Sequence, residues 1–271
     1  MSDFSRDLIG RSGYDLEGYA GAYDDARPGP PEVVLDVLER CAGGRPRLVV
    51  DLGSGTGLSS RAWAGRAGRV IGVEANPAML AIARAVTGDE NVVFVEAYAD
   101  ETGLETGSAD IITCAQAFHW MDPSTVLPEV ARLLRPGGVF AAYDYDAGPV
   151  IEPRVDAAFA RVIDVRWEAR ERLGLLAGAA FWPKSQHADR IRESGLFAFV
   201  REVHCHGELT VDGGRVVELA DSLGGPSGIF RGQAPELDQA RDELAQLALE
   251  LLPEPRTVLL GYSIRLGIRT D

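Results

Sequence analysis

This chain of 271 residues carries a single lysine, Lys184, two asparagines, Asn76 and Asn91, and three cysteines, Cys41, Cys114 and Cys205. An odd number of widely spaced thiols argues against a disulfide framework and reads as reduced cysteine in a cytoplasmic protein. No run of about eighteen apolar residues is present, so no membrane-spanning helix is expected. The segment Met1 to Asp7 lacks the basic and apolar regions of a secretory signal. Basic residues are short in supply, 27 against 41 acidic ones, for a net charge of −14. That balance argues against nucleic acid as a partner. Twenty-six of the 27 are arginine, a compositional bias that removes phosphate recognition as the reading of any one of them. His204-Cys205-His206 sets two histidines on one strand face, but no third ligand lies near and zinc takes three or four. No metal is expected. Hydrophobic residues, at 46%, suffice for one large domain core with insertions.

What the chain does contain is concentrated in Leu48-Val49-Val50-Asp51-Leu52-Gly53-Ser54-Gly55-Thr56-Gly57. The apolar residues read as a short buried strand that ends in an acid. Three glycines at alternate positions follow, then a helix-compatible segment from Leu58 to Arg66. Strand, glycine turn and helix make the nucleotide-binding corner of an α/β sheet. Glycine admits torsions closed to other residues and lets a ligand approach the backbone. A dinucleotide fold uses G-x-G-x-x-G, with a pyrophosphate on the helix N-terminus. Here the third glycine comes one residue early, and Asp51 would repel that anion. Glu74 ends the next apolar strand, where an acid can accept from both ribose hydroxyls.

The D-x-G-x-G-x-G pattern resembles motif I of the class I S-adenosylmethionine-dependent methyltransferases. The resemblance implies S-adenosylmethionine as cofactor, with its amino acid end at Gly53, Ser54, Gly55 and Gly57 and its ammonium near Asp51. It also implies the ribose on Glu74 and the adenine against Ala75 and Met79. Ala97-Tyr98-Ala99-Asp100 follows the third strand, so the Ala99 amide and the Asp100 carboxylate would meet the adenine edge. Gln116-Ala117-Phe118-His119-Trp120-Met121-Asp122 and the earlier Tyr23…Arg27-Pro28 narrow the likeness to a small-molecule branch similar to trans-aconitate-type methyltransferases. Tyr14, Tyr19, Tyr23 and Arg27 then read as a lid, with Arg27 pairing the methionine carboxylate. Gln116 faces the cofactor and acceptor, His119 serves as base or orienting group, and Trp120 and Trp167 wall the acceptor pocket. The reaction implied is methyl transfer to a small molecule at oxygen, carboxylate or hydroxyl. A non-methylating relative such as a cyclase and an NAD-dependent oxidoreductase are the alternatives.

The rest of the chain fits an α/β, Rossmann-like doubly wound sheet of seven strands with an antiparallel last strand. Strands are expected at 48–51, 70–74, 92–95, 110–114 and 139–144, alternating with helices near 31–41, 57–66, 77–86 and 123–134. In the first of these helices Val33, Val34, Val37, Leu38 and Cys41 fall at helical spacing on an apolar face. Beyond Tyr145 the rhythm changes. A long helix over 152–176 and helices within 213–252 read as insertions capping the substrate site, with the last two strands at 199–211 and 256–268. This divides the chain into a lid segment (1–31), a cofactor-binding core (32–146) and a remainder carrying the cap (147–271).

Overall fold

The computed structural model describes residues 18–175, 181–225, 227–230 and 232–270. Tyr14 and most of the expected lid lie outside them. Seven strands form one sheet in the order β3-β2-β1-β4-β5-β7-β6. They are β1 (Leu48–Leu52), β2 (Arg69–Glu74), β3 (Val92–Glu96), β4 (Ala109–Ala115), β5 (Leu134–Tyr145), β6 (Phe197–Val211) and β7 (Arg256–Arg269). The first five run parallel, while β7 is antiparallel to both β5 and β6. The order reverses at β1, which lies between β2 and β4, and that reversal opens a crevice at the carboxyl ends of the strands.

Helices α1 (Tyr19–Ala26) and α2 (Glu32–Ala42) precede the sheet, and α3 (Leu58–Ala62), α4 (Pro77–Val86) and α5 (Pro123–Leu133) connect its parallel strands. Their starts follow from local chemistry. Asn76 accepts the amide hydrogens of Ala78 and Met79 ahead of Pro77, and Asp122 accepts that of Ser124 ahead of Pro123; both place a cap before a first-turn proline. Helix α2 buries Val34, Leu35 and Leu38; Val33 and Cys41, read from sequence as part of its apolar face, are exposed. The helix expected over 57–66 stops at Ala62. Strand β5 begins five residues before the expected Val139, because Leu134 already pairs with Ala109 and Arg135–Gly138 form an excursion between two ladder positions. Asp110 anchors that excursion, accepting from Arg135 Nε at 2.6 Å and from the Arg47 and Leu48 amides.

The sheet buries a core on each face. A third core belongs to the cap, where α6 (Pro153–Arg172), α8 (Gly213–Ser222) and α9 (Pro235–Leu251) bring together Val155, Phe159, Val162, Leu219, Leu237 and Leu244. Each such side chain contributes about 1.5–3 kcal/mol by leaving water. A short helix, α7 (His187–Glu193), precedes β6. Helix α8 ends in a cluster of buried arginines. Arg166 donates to the carbonyls of Ala220 and Asp221 at 2.9 and 3.0 Å and to that of Leu223; Arg170 reaches the Gly224 carbonyl, and Arg27 reaches Ser222 at 2.7 Å. The last carbonyls of a helix lack partners within it and carry partial negative charge. Guanidinium groups from α6 and from the end of α1 satisfy them, which ties the N-terminal segment to the cap. No helix among the described residues is long and apolar enough to cross a membrane.

Candidate active site

At the end of β1 the chain turns through Gly53, Gly55 and Gly57, all with positive φ (66°, 55° and 87°). The three serve different needs. A Cβ on Gly53 would stand 2.7 Å from Ala117 Cβ, and one on Gly57 would stand 2.7 Å from the Phe94 ring. A Cβ on Gly55 would meet nothing within 4 Å, so this glycine borders open space. Glu74, at the end of β2, locks the turn from beside it. Its Oε2 accepts the Gly55 amide hydrogen at 2.8 Å and its Oε1 that of Asn76 at 2.7 Å. Burial raises the Glu74 pKa above the usual carboxylate range, opposed by these backbone bonds.

The open space is a cavity of about 250 Å³. Gly53, Ser54, Gly55, Glu74, Ala75 and Met79 line it, with Ala99 and Asp100 from the turn after β3. Tyr23, Arg27, Gln116 and Trp120 line it as well. The polar equipment of this wall includes buried atoms that lack a hydrogen-bond partner: Ser54 Oγ, Thr56 Oγ1 and Asn76 Nδ2. Buried polar atoms of this kind call for a ligand or water. Each Glu74 oxygen also keeps acceptor capacity beyond its one backbone bond.

Three residues expected at the cofactor or acceptor are placed elsewhere. Asp51 is fully buried and outside the lining; its carboxylate accepts from Ser60 Oγ at 2.7 Å, Thr113 Oγ1 at 2.8 Å and Ser59 Oγ at 3.2 Å. It fastens β1 to β4 and to the first turn of α3, and burial pushes its pKa up to about 6. Gly57 is beneath the turn against Phe94 rather than at the cavity wall. Tyr19 lines neither cavity, and its hydroxyl donates to the Ser222 carbonyl at 3.2 Å. Arg27 does border the cleft, and its guanidinium also serves Tyr145 Oη and the Ser222 carbonyl while resting 4.6 Å over the Tyr23 ring.

A second cavity, of about 1160 Å³, adjoins the first beneath the cap. Tyr23, Arg27, Gln116, Trp120, Tyr145 and Arg170 border both. His119 and Trp167 line this second cavity together with Phe181, and their rings continue into one another: His119–Phe181 at 5.1 Å, Trp120–Phe181 at 5.4 Å and Trp167–Phe181 at 5.6 Å. His119 is buried and neutral, its pKa held well below the ordinary value by burial first, then by Lys184, His187 and Arg27.

The polar end of this cavity contains three side chains that the sequence reading missed. Asp144, at the end of β5, pairs Oδ1 with Lys184 Nζ at 2.8 Å and Oδ2 with Arg265 Nη1 at 3.2 Å. Lys184 also donates to Gln116 Oε1 at 2.7 Å. Gln116 is the one non-glycine residue with positive φ among the described residues, at 53°, and such strain clusters at functional sites. The available signals were the chain's only lysine, an acid closing an apolar strand, and an arginine inside one.

Residues 50–142 match a family model described as a methyltransferase domain. An uncharacterized methyltransferase of Mycobacterium tuberculosis is 41% identical over 118 residues, 44% of this chain and 46% of its own length. A ubiquinone biosynthesis O-methyltransferase of Aromatoleum aromaticum is 32% identical over 108 residues, 38% of this chain and 46% of its own. The match thus spans about half the length of these curated relatives. Among solved structures, a protein of Anaeromyxobacter dehalogenans assigned as a Type II methyltransferase superposes with a TM-score of 0.64 at 26% identity, over 90% of this chain and 99% of that one. A phosphoethanolamine N-methyltransferase of Haemonchus contortus, solved with S-adenosylhomocysteine, shares the fold with a TM-score of 0.60 at 18% identity, over 98% of this chain and 60% of that one. Residues 50–142 are a methyltransferase domain of the class I, S-adenosylmethionine-dependent type.

Proposed function

We propose that the whole chain transfers a methyl group from S-adenosylmethionine to oxygen, hydroxyl or carboxylate, of a small molecule. The observation that carries this reading is the junction of the two cavities, where Gln116 and Trp120 border both. A donor in the first cavity would meet an acceptor in the second at those side chains. The glycine turn, the acceptor capacity of Glu74 and the orphaned Ser54, Thr56 and Asn76 atoms suit a ligand with a ribose and an amino acid end. Glu74 would hold the ribose, Ala99 and Asp100 the adenine edge, and Ser54 with Gly55 the amino acid end. Asp51 would act through the fold of the turn.

The bound cofactor supplies a sulfonium methyl already activated toward a nucleophile. The protein's own part is to align the acceptor oxygen and exclude water. Trp120, Trp167 and Phe181 give the acceptor cavity an apolar wall, and α6 closes it from above, which suits a small acceptor. The run from Gln116 to Asp122 and the Tyr23…Arg27-Pro28 segment support the trans-aconitate-type branch. In this division of labour residues 32–146 hold the cofactor, 147–271 complete the sheet and cap, and the N-terminal segment acts as a lid. Three free thiols and the acidic surface support a reducing, cytoplasmic setting and no nucleic acid partner. Thermal melting with S-adenosylhomocysteine tests the cofactor site, since a ligand that binds only the folded state raises the melting temperature. Transfer of a labelled methyl group to a panel of small hydroxyl and carboxyl compounds tests the reaction. No stabilisation at saturating ligand would refute the reading.

A further inference from the structure

The acceptor cavity contains two buried atoms that face one another without a hydrogen bond. His119 Nδ1 and Asp144 Oδ1 are 3.8 Å apart, and Nδ1 lacks a hydrogen-bond partner. The separation exceeds a hydrogen bond by most of an ångström. What occupies Oδ1 instead is the ammonium of Lys184, at 2.8 Å. Nδ1 is the buried nitrogen, turned toward Asp144, and the His119 side chain lines the cavity.

We propose that Asp144 and Lys184 are positioning residues for His119, and that the acceptor is an aromatic hydroxyl whose proton passes to His119. The inference rests on the methyltransferase reading above. A flat ring packs against the aromatic wall of Trp120, Trp167 and Phe181, and its hydroxyl donates to Nε2. As the acceptor oxygen forms its bond to the methyl carbon, the carbon–sulfur bond breaks and its electron pair stays on sulfur, leaving a neutral thioether. The hydroxyl proton moves to Nε2, and the imidazolium so formed donates its Nδ1–H to Asp144. A carboxylate next to a histidine in this way fixes its tautomer and stabilises the charge that develops.

Lys184 sets when that pairing is available. While its ammonium is on Oδ1, the Asp144 charge is spent on Lys184 and Arg265, and His119 stays neutral. Every neighbouring element adds charge to this balance. The α7 residue His187, Arg27 from the end of α1 and Lys184 oppose an imidazolium. Asp164, Glu168 and Arg170 of α6 face the same cavity, and Arg265 is itself shared with Glu202 of β6 at 2.8 Å. An acceptor that displaces Lys184 toward Gln116, its second partner at 2.7 Å, would release Oδ1 to His119.

The test is a histidine titration by NMR on the full chain with S-adenosylhomocysteine bound; four histidines make the spectrum tractable, and His119→Asn assigns the signal. Lys184→Met should raise the His119 pKa by about one to three pH units, the range for an opposite charge brought within reach. In an Asp144→Asn background the same substitution should have a much smaller effect. Catechol should shift the His119 Nε2 signal, and benzoate should leave it unmoved. An equal rise in both backgrounds would show that Lys184 acts on His119 by repulsion alone and would overturn the proposal, as would a response to benzoate and none to catechol. Lys184→Gln, which keeps a hydrogen-bonding end, gives a second variant should the methionine disturb folding. Stabilisation by S-adenosylhomocysteine in the same samples keeps the methyltransferase reading separate: the proposal can fail while that persists.

Discussion

Glu74 Oε2 accepts the amide hydrogen of Gly55 at 2.8 Å, so the acid that ends β2 holds the middle of the glycine turn after β1. One carboxylate thus both shapes the turn and faces the cavity. Glu74→Ala should weaken S-adenosylhomocysteine binding by about 1.5–3 kcal/mol, the range for hydrogen bonds to a charged group. Isothermal titration measures this directly. Unchanged affinity would remove Glu74 from the binding set and leave it a turn-holding role only.

The glycines of the turn should separate into two behaviours. Gly53→Ala forces a Cβ to within 2.7 Å of Ala117 and 2.8 Å of Met121 Cε, in a backbone region that costs about 1–2 kcal/mol for an L side chain. Its ligand-free melting temperature should fall. Gly55→Val has a similar backbone cost but sets its Cβ where no protein atom lies within 4 Å, so its side chain intrudes on ligand space. It should fold with a milder loss and show no stabilisation by S-adenosylhomocysteine. A normal ligand-induced shift in Gly55→Val would mean that the ligand lies elsewhere.

Asp51 predicts an unusual pH dependence. Its folded pKa of about 6 exceeds the ordinary value of 3.8, so folding disfavours the charged form. Its contribution is therefore fully present below the unfolded pKa and is lost as pH rises through about 6. A shift of that size amounts to about 3 kcal/mol. Asp51→Asn removes the titration, and the hydroxyls of Ser59, Ser60 and Thr113 can each donate or accept to suit an amide. Urea unfolding from pH 4 to 8 should show the variant gaining on the wild type by about that amount as pH rises. A constant difference across the range would place the Asp51 pKa at its ordinary value.

The parallel half of the fold was legible because local signals agree there. Apolar runs end in Asp51 and Glu74, and Asn76-Pro77 and Asp122-Pro123 mark helix starts through capping chemistry that depends on neighbours in sequence. The candidate cavity was legible to the same depth, since residues on the β1, β2 and β3 turns line it. Asp51 was misplaced because a strand-end acid reads alike whether it turns outward or into Ser60 and Thr113. The acceptor end was hidden for a different reason. Asp144, Lys184 and Arg265 come from β5, the segment before α7 and β7, and only the antiparallel return of β7 beside β5 brings them together. Lys184 stood out as the single lysine, but composition gives it no partner. The exposed Val33 of α2 shows the same limit, since a helical face read from spacing can rotate by one position when the sheet selects Val34, Leu35 and Leu38.

The arginines at the end of α8 allow cap order to be separated from ligand contact. Arg27 and Arg166 both donate to carbonyls there, but Arg27 borders both cavities and Arg166 neither. Arg27→Lys replaces a fork that reaches Tyr145 and Ser222 at once by a single ammonium, which cannot span both. Arg166→Met leaves the Ala220, Asp221 and Leu223 carbonyls without their shared donor, at a cost of about 1–3 kcal/mol for each buried group left unpaired. Hydrogen exchange should therefore quicken in α8 for both variants, more so for Arg166→Met, with β1 to β5 unchanged. Affinity for S-adenosylhomocysteine should fall in Arg27→Lys alone. Equal losses of affinity would mean that cofactor binding depends on the order of α8, and that Arg27 acts through the cap rather than at the ligand.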